Sequence, residues 1–253
     1  MTERVLAPWP RWRLAEWGVV AAIALSIAAA MLLPVLPQDP RYHLFADQRG
    51  WLGIPHAADV LSNLAFLMVG TLGIVRLAAR GLTAFSRTTE AGLWCAAVGF
   101  VLTSAGSAAY HWNPRNAALV WDRLPMTLVF AGVLGAVLAQ RVGENAARVA
   151  LVLLAVLGAG SVFYWGASGD LSFYITLQYG GMAALVAVLI ATRGDGDPFP
   201  WWWVVGWYLL AKIFEAADRE IWDATGGIVA GHALKHLAAA AAGLALFRPL
   251  APK

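Results

Sequence analysis

Two histidines near the end of the chain have a spacing that could bind a metal ion. His232 and His236 stand four residues apart in the segment G-H-A-L-K-H. Residues four apart on a helix face the same way, with Cβ atoms roughly 5–6 Å apart, so two imidazoles at this spacing can bind one ion. Lys235, between them, is expected to point away from the face that they share. A pair of interfacial histidines hydrogen-bonded to neighbours is the alternative interpretation.

A third histidine, His111, ends the run S-A-A-Y-H. Its depth matches that of His232 and His236, because all three lie near the same ends of their apolar segments. Three imidazole ligands with an open fourth position are the arrangement of a catalytic zinc site, and imidazole is a ligand that suits zinc. A lone histidine at a helix end can also be an interfacial residue only, and that interpretation stays open.

Two polar residues could serve such a site. Ser107 lies one helical turn before His111 and on the same face. Asp122 follows His111 by eleven residues, across a short hairpin N-P-R-N that brings the two side chains to the same level. An acidic residue in the first turns of a helix is also favoured by the helix dipole alone. Arg123, beside Asp122, is expected to point elsewhere on the helix.

Two further groups of polar residues lie in apolar surroundings. Asp59, Ser62 and Asn63 open one segment as D-V-L-S-N-L, where Asp59 and Asn63 share a helix face and Ser62 is next to it. They are candidates to support the metal ligands, although helix capping and interhelical hydrogen bonds would explain them equally. Lys212 and Glu215 are three residues apart and are expected to form an ion pair.

The composition predicts that the bilayer is the solvent of this chain. Sixty per cent of the 253 residues are hydrophobic and 13% are charged, with a mean hydropathy of +0.65. Soluble domains carry about a quarter charged residues. Within a bilayer only helices and closed barrels satisfy all backbone polar groups. Strand-like alternation is absent and long apolar runs recur, so we predict an all-α integral membrane protein.

The apolar runs predict about eight membrane spans. Each crossing of a hydrocarbon core of roughly 30 Å needs about 20 residues. The candidate spans are 14–36, 58–79, 90–111, 117–140, 146–167, 171–192, 200–217 and 226–247. Residues 1–13 are rich in arginine and precede a run that is long for a cleavable signal peptide, which favours an uncleaved signal anchor. We therefore divide the chain into a signal-anchor-like helix with an outer loop (1–56) and a membrane domain (57–253).

The distribution of basic residues predicts the orientation. With the N-terminus inside, eleven lie in inner segments and four in outer segments, which favours a cytoplasmic N-terminus and C-terminus. The inner ones are Arg4, Arg11, Arg13, Arg76, Arg80, Arg87, Arg141, Arg148, Arg193, Arg248 and Lys253, and the outer ones are Arg41, Arg49, Arg115 and Arg219. The histidines then face the outer side. Because the basic residues form no single patch, nucleic acid is not an expected partner.

The polar motifs, taken in order, resemble the alkaline ceramidase family. This family belongs to a wider group of seven-helix membrane hydrolases and receptors that includes the adiponectin receptors. The matching pieces are S-N-L at 62–64, S-x3-H at Ser107 and His111, D-R-L-P at 122–125 and G-H-A-L-K-H at 231–236. The resemblance covers about residues 57–247. It implies a seven-helix core, to which the span 14–36 is an extra N-terminal helix.

The resemblance also implies a function. A zinc ion would be held by His111, His232 and His236, with Asp122 as the proton acceptor and Ser107 as a polar contact to the catalytic water or the scissile carbonyl. The reaction would be hydrolysis of the amide bond of ceramide or a related N-acyl lipid, giving a fatty acid and an amine such as a sphingoid base. The style of the motifs resembles bacterial members, which implies the inner membrane and a site on the periplasmic side.

The chain departs from the family at the calcium site of the animal enzymes. Their acidic run ahead of the core is not clearly present here, and His56 stands where they have a glutamate. Asp39 and Asp47 are the residues that could still contribute to a calcium site, so calcium is left open.

Three other interpretations remain open from the residues alone. The chain could be a receptor-like or channel-like member of the same group with a structural zinc site. It could be a haem-binding electron carrier, although two histidines on one face of one helix suit a single ion better. It could also be a structural membrane protein whose polar residues form interhelical hydrogen bonds.

Overall fold

The computed structural model describes residues 13–80, 85–192 and 197–250, and this part of the chain is almost entirely helical. It contains no β-strand, only two isolated bridges, Pro37 with Asp170 and Trp51 with Ile54. The α-helices are α1 (Leu14–Leu32), α2 (Ala57–Ser62), α3 (Leu64–Arg80), α4 (Arg87–Trp112), α5 (Asn116–Arg141), α6 (Glu144–Ser168), α7 (Ser172–Ala191), α8 (Trp201–Ala216), α9 (Asp218–Ala224) and α10 (Gly231–Phe247). The predicted all-α class is confirmed.

Every predicted span contains a helix, and among the described residues six helical segments are long and apolar enough to cross a membrane. They are Leu14–Leu32, Ala57–Ala79, Arg87–Trp112, Asn116–Arg141, Glu144–Ser168 and Ser172–Ala191. The last two predicted spans correspond to α8 and α10, which have 16 and 17 residues. At 1.5 Å per residue these helices are about 24 and 26 Å long, shorter than a hydrocarbon core of about 30 Å.

The outer surface of the helices is apolar, as expected for contact with lipid chains. Leu14 and Met31 are 89% and 82% exposed, and Val156, Ile190 and Trp203 are also largely exposed. Apolar surface on this scale is unfavourable in water and favourable in hydrocarbon. Together with the apolar helices, it identifies the chain as an all-α membrane protein.

Close contact between α4 and α5 forms the centre of the bundle. Gly92 and Gly132 face each other, and a Cβ atom on either would collide with the backbone carbonyl of the other. Further along the same two helices, Gly106 lies directly against the backbone of Trp121. Helix α6 packs on α5, and α10 packs on α8 and α3, while α1 lies outside against α6 and α7. Helix α1 thus lies at the outside of the bundle, and its division from a seven-helix core stays a prediction.

The close approach at Gly106 should be sensitive to a single methyl group. We expect Gly106→Ala to destabilise the protein by about 1–3 kcal/mol, because the added Cβ forces α4 and α5 apart. The matched control is Gly160→Ala, where the added Cβ meets nothing within 4 Å and the higher helix propensity of alanine is favourable. Melting temperatures in detergent should fall by several degrees for the first variant only. Equal melting temperatures would contradict this view of the interface.

The predicted span 58–79 is divided at Asn63 into α2 and α3. The Asn63 side chain donates a hydrogen bond of 2.7 Å to the carbonyl of Asp59 and a weaker one of 3.4 Å to that of Val60. Asparagine side chains compete in this way for backbone groups that a continuous helix would use. Apolar periodicity does not reveal such a break, which explains why one helix was predicted.

Residues 33–56, here called the cover segment, fold over the end of the bundle where α4 ends and α5 begins. Leu36 donates its N–H to Asp170 at 3.0 Å and accepts the N–H of Leu171 at 2.8 Å. Hydrogen bonds from the backbone N–H groups of Leu36 and Ser172 lower the pKa of Asp170. The cover segment is therefore fixed to the turn between α6 and α7.

Some sequence predictions concern residues outside the described part of the chain. These are the arginine-rich residues 1–12 of the signal anchor, including Arg4 and Arg11, and the inner residues Arg193 and Lys253. The signal anchor and the orientation in the membrane therefore stay predictions.

Candidate metal centre

The three predicted histidines lie together at the covered end of the bundle. His111 is in the last turn of α4, and His232 and His236 are in the first two turns of α10. The ring centre of His111 is 4.8 Å from that of His232 and 5.0 Å from that of His236, and the latter two are 5.0 Å apart. One ligand nitrogen from each lies within 4.8 Å of the others, and all three side chains are buried. The structure thus brings together the set that spacing and depth predicted.

The start of α10 is held in place by Gly231 and Asp218. A Cβ atom on Gly231 would collide with the backbone carbonyl of Phe214, so α10 begins directly against the end of α8. The Asp218 carboxylate accepts the N–H of His232 at 2.7 Å and the N–H of Ala46, in the cover segment, at 2.9 Å. An acidic group at this position accepts a hydrogen bond from a free backbone N–H, and its negative charge interacts favourably with the helix dipole. Both features fix the position of His232 relative to α8 and the cover segment.

Several nitrogens of these histidines lack hydrogen-bond partners within the described residues. They are Nδ1 and Nε2 of His111 and Nε2 of His236. Buried polar atoms are normally hydrogen-bonded, so unpartnered ones need an explanation. Nitrogens of a tetrahedral zinc site lie roughly 3.3 Å apart, because Zn–N bonds measure about 2.0–2.1 Å. The spread of 4.8 Å exceeds this by about 1.5 Å, which rotation of the imidazoles can close. The donor set could therefore hold one metal ion.

Ser62 sets the protonation of His236. Its hydroxyl lies 3.0 Å from the carbonyl of Asp59 and 2.7 Å from Nδ1 of His236. A hydroxyl has one proton and a carbonyl can only accept, so the Ser62 hydroxyl donates its hydrogen bond to the backbone carbonyl of Asp59. Its lone pair then accepts Nδ1–H of His236. This assignment leaves the lone pair of Nε2 free for a metal ion.

Asp59 and Asn63 lie behind His236, as candidates for a supporting role would. The Asp59 side chain is completely buried, and neither of its carboxylate oxygens has a hydrogen-bond partner in the part of the chain that the structure describes. Asn63 binds the backbone carbonyl of Asp59 but not its carboxylate. Of Asp59, Ser62 and Asn63, Ser62 is the one that hydrogen-bonds a proposed metal ligand.

Ser107 and Asp122 lie next to each other where α4 meets α5. Both side chains are buried, and the Ser107 hydroxyl interacts with the Asp122 carboxylate. The neighbouring contact between Gly106 and Trp121 places these two backbones close enough for this interaction. Ser107 precedes His111 by one turn of α4, so Ser107 and Asp122 lie near the histidines but are not part of the group of three ligands. An acid and a hydroxyl in this position can accept and donate protons.

A cavity of about 580 Å³ extends from this region into the bundle. On α5 its lining runs from Asp122 to Leu134, about 18 Å of helix at 1.5 Å per residue. Ser107, Lys235 and His236 also line its polar end. The rest of the wall is largely apolar and includes Phe66, Phe100, Val133, Leu154, Leu185 and Leu246. A long apolar cavity with one polar end suits a chain-like amphiphilic ligand.

The expectation that Lys235 points away from the histidines is wrong. Its Nζ lies 2.9 Å from Nε2 of His232 and 3.4 Å from the Glu215 carboxylate. Residues three apart on a helix are neighbours, so Lys235 lies beside His232 rather than opposite it. The packing of α8 on α10 places Glu215 within reach of Lys235. The predicted pair of Lys212 with Glu215 is confirmed.

Arg123 also differs from expectation, because it lines the same cavity as Asp122. Consecutive residues on a helix point about 100° apart, which is why separate environments were expected. The cavity is wide enough for both to reach it. Another residue that spacing did not reveal is Phe45 of the cover segment, whose ring centre lies 4.7 Å from that of His111 and 4.4 Å from that of His232. Phe45 is 3% exposed and shields these histidines from solvent.

The two carboxylates considered for calcium each have an arginine partner. Asp39 pairs with Arg41 at 3.0 Å and Asp47 with Arg49 at 2.7 Å. Hydrogen bonding from Arg41 lowers the pKa of Asp39. Burial raises the pKa of Asp47, and hydrogen bonds from Arg49 lower it further than burial raises it. Within the described ranges the three histidines form the one close group of three or more ligand-type side chains, so the geometry favours a site for a nitrogen-binding metal.

Comparisons of the chain with protein-family models, curated proteins and solved structures give no significant match. Membership of the alkaline ceramidase family therefore stays a prediction from the motifs, and the functional argument depends on the site itself.

Proposed function

We propose that this chain is a zinc-dependent membrane hydrolase that cleaves the amide bond of ceramide or a related N-acyl lipid. The products would be a free fatty acid and an amine, a sphingoid base in the case of ceramide. The observation that carries the proposal is the position of three buried histidines beside an acid and a hydroxyl, at the polar end of an apolar cavity. The order of the sequence motifs supports the same conclusion.

Zinc is the metal that the donor set favours. Its ligands would be His111, His232 and His236, of which two have buried nitrogens without partners among the described residues. Bound zinc supplies a Lewis acid for the carbonyl and activates water as a nucleophile near neutral pH. Phe45 covers two of the histidines and excludes bulk water, which strengthens electrostatic interactions within the site.

Asp122 and Ser107 have separate roles in this proposal. A carboxylate oxygen of Asp122 accepts the proton of the attacking water and then delivers it to the nitrogen of the leaving amine. Once Asp122 has taken this proton, its O–H can donate to the oxygen of Ser107, and the single hydroxyl proton of Ser107 is then free for a hydrogen bond to the carbonyl oxygen as negative charge develops there. Their contact with each other keeps both side chains at the polar end of the cavity.

The shape of the cavity supports a lipid substrate. Its polar end holds Asp122 and His236, and its wall extends to Leu134 on α5 and Leu246 on α10 among apolar side chains. An acyl chain placed in the apolar part would bring its amide group to the polar end. The excess of basic residues in the predicted inner segments supports cytoplasmic termini and a site at the outer side. The style of the motifs supports the inner membrane of a bacterium.

A structural zinc site in a receptor-like or channel-like protein is the alternative. Structural zinc is almost always held by four protein ligands, whereas catalytic zinc has three and an open position. Within the described residues, the group contains three histidines and no fourth ligand. The cavity also reaches His236, which favours a site that admits a substrate.

The direct test is fatty acid release by the purified protein in detergent with zinc. Ceramide, dihydroceramide, N-acylethanolamine and the anionic N-oleoylglycine would be supplied separately, and the fatty acid and the amine would be measured together by mass spectrometry. We expect equal amounts of both products from at least one lipid and none after chelation of zinc. Absence of release from a zinc-loaded, folded protein with every N-acyl lipid would contradict the proposed reaction.

Removing the Ser62 hydroxyl should weaken zinc binding without abolishing it. Hydrogen bonds to the second nitrogen of a metal-ligating histidine typically change affinity by about 10–100-fold, and Ser62 is that partner for His236. We expect a loss of this size in Ser62→Ala, measured by competition with a chelator. Ser26→Ala is the control, because Ser26 hydrogen-bonds only the carbonyl of Ala22 in its own helix. Equal zinc affinity in both variants would remove the supporting role of Ser62.

A further inference from the structure

We propose that Arg123 binds an anionic oxygen group, a carboxylate or a phosphate, at the polar end of the lipid in the cavity. The inference rests on the proposed function only in taking the ligand to be an acyl lipid. It predicts that charged amphiphiles occupy the cavity in preference to neutral ones such as ceramide.

Arg123 is a buried cation with an incomplete set of partners. It is 6% exposed and lines the cavity. Its Nη2 donates a hydrogen bond of 2.7 Å to the side-chain oxygen of Gln38, whereas Nη1 is buried and has no partner within the described residues. No carboxylate in that part of the chain lies within 4.0 Å of the guanidinium. Since an uncompensated buried charge is strongly unfavourable, a ligand anion would supply what the protein lacks.

Three aromatic rings hold the guanidinium in position. Its central carbon lies 4.3 Å from the ring centre of Trp165, 5.1 Å from that of Tyr174 and 5.4 Å from that of Tyr42. Cation–π attraction compensates part of the lost hydration and restricts rotation of the side chain. A preorganised, planar guanidinium is well suited to carboxylate and phosphate oxygens, which it can bind through two parallel hydrogen bonds.

The charges along the cavity also favour an anion. The charged side chains of the wall are Asp39, Asp122, Glu215, Arg123, Lys212 and Lys235. Asp39 lies at the surface and pairs with Arg41. Glu215 is one carboxylate shared between two lysines, Lys212 and Lys235. The Asp122 carboxylate and the Arg123 guanidinium remain, and no ion pair joins these two groups. The interior therefore has three cations and two carboxylates, an excess of one positive charge.

The position of the site determines which lipids it would select. Arg123 follows Asp122 directly on α5, and both line the polar end of the cavity. An anionic group bound there would belong to the polar part of the ligand, next to the bond that the proposed reaction cleaves. The selected substrates would then be acyl lipids with a carboxylate or a phosphate, such as N-acyl amino acids or phosphorylated sphingolipids.

The test is binding by the full-length protein in detergent, measured by calorimetry. N-oleoylglycine carries a carboxylate, oleoyl lysophosphatidic acid carries a phosphate, and N-oleoylethanolamine is the neutral reference. We expect at least one anionic lipid to bind about ten-fold or more tightly than the neutral lipid, because it gains a hydrogen bond to a charged group. Arg123→Gln should remove this preference and leave neutral binding unchanged. Arg115→Gln, at an exposed position at the start of α5, should retain it.

The anion that gains affinity identifies the source. Preference for N-oleoylglycine indicates a carboxylate lipid, and preference for oleoyl lysophosphatidic acid indicates a phospholipid. Tight binding of inorganic phosphate alone would show that no lipid is needed and would overturn the proposal. Equal preference in wild type and Arg123→Gln would also overturn it. If Arg123→Gln loses neutral binding as well, Arg123→Lys decides. That variant keeps the charge without the planar fork and should reduce the preference at least about three-fold, and an unchanged preference would refute the role of Arg123.

Binding to the metal must be separated from binding to Arg123. All measurements would therefore be repeated in the His232→Ala background, which lacks one of the proposed zinc ligands. The preference for anions should persist there, because it depends on Arg123. A chain that binds no zinc and hydrolyses nothing would still show this preference, so failure of the proposed reaction and failure of this inference give different results.

Discussion

Replacing His232 with alanine should reduce the zinc content of the purified protein from about one ion per chain to nearly none. The loss of one of three imidazoles leaves two ligands, from α4 and α10, for an ion that needs at least three from the protein. Hydrolysis should disappear with the metal. The measurement is inductively coupled plasma mass spectrometry on protein prepared in detergent without added zinc.

The control for this variant is His43→Ala. His43 is also at the covered end of the bundle, but its nitrogens bond Tyr110 and Asn116 rather than facing the other histidines. Zinc should remain in His43→Ala. Equal zinc in wild type and His232→Ala, or no zinc in carefully prepared wild type, would remove the proposed metal centre and with it the hydrolytic mechanism.

Replacing Asp122 with asparagine should leave zinc bound and reduce turnover by about 10²–10⁴-fold, the usual contribution of a general acid–base group. Asparagine has nearly the same shape and keeps polar contact with Ser107, but it cannot accept the proton of the attacking water. The zinc content and the rate of fatty acid release should be measured on the same preparation, so that the loss of rate can be assigned to proton transfer.

Asp39→Asn is the matched control for Asp122→Asn. Asp39 also lines the cavity, but at the surface, where it pairs with Arg41. We expect little change in turnover from this substitution. Normal turnover in zinc-loaded Asp122→Asn would exclude Asp122 as the proton acceptor, and loss of zinc in that variant would indicate a role in supporting the metal ligands instead.

The helices could be predicted because lipid solvent imposes a simple rule on the sequence. Long apolar runs must be helical in a bilayer, and each predicted span contains a helix. The division at Asn63 could not be read from hydropathy, because it depends on one side chain bonding two backbone carbonyls. The predicted span 200–217 matches α8 to within one residue at each end, whereas the span 226–247 begins five residues before α10, because the apolar residues 228–230 precede its first helical turn.

The histidine cluster could be predicted from spacing within one helix and from the depth of a third residue in another. Both are local properties of the sequence. The partners of these residues are not local. The contact between Lys235 and Glu215 depends on how α8 packs against α10, and the position of Phe45 depends on the path of the cover segment. Arg123 was misplaced because the width of a cavity is set by several helices together, which one helix cannot reveal.

The Asp218 carboxylate connects the cover segment with the first turn of α10. One oxygen binds the backbone of Ala46 in the cover segment, and the other binds the backbone of His232. A movement of the cover segment that also shifts Asp218 therefore weakens the hydrogen bond that holds the backbone of His232, one of the proposed zinc ligands. Opening and metal affinity then belong to one thermodynamic cycle, in which each must change the other by the same factor. In the proposed enzyme, zinc would then be released most easily while the cover segment is displaced.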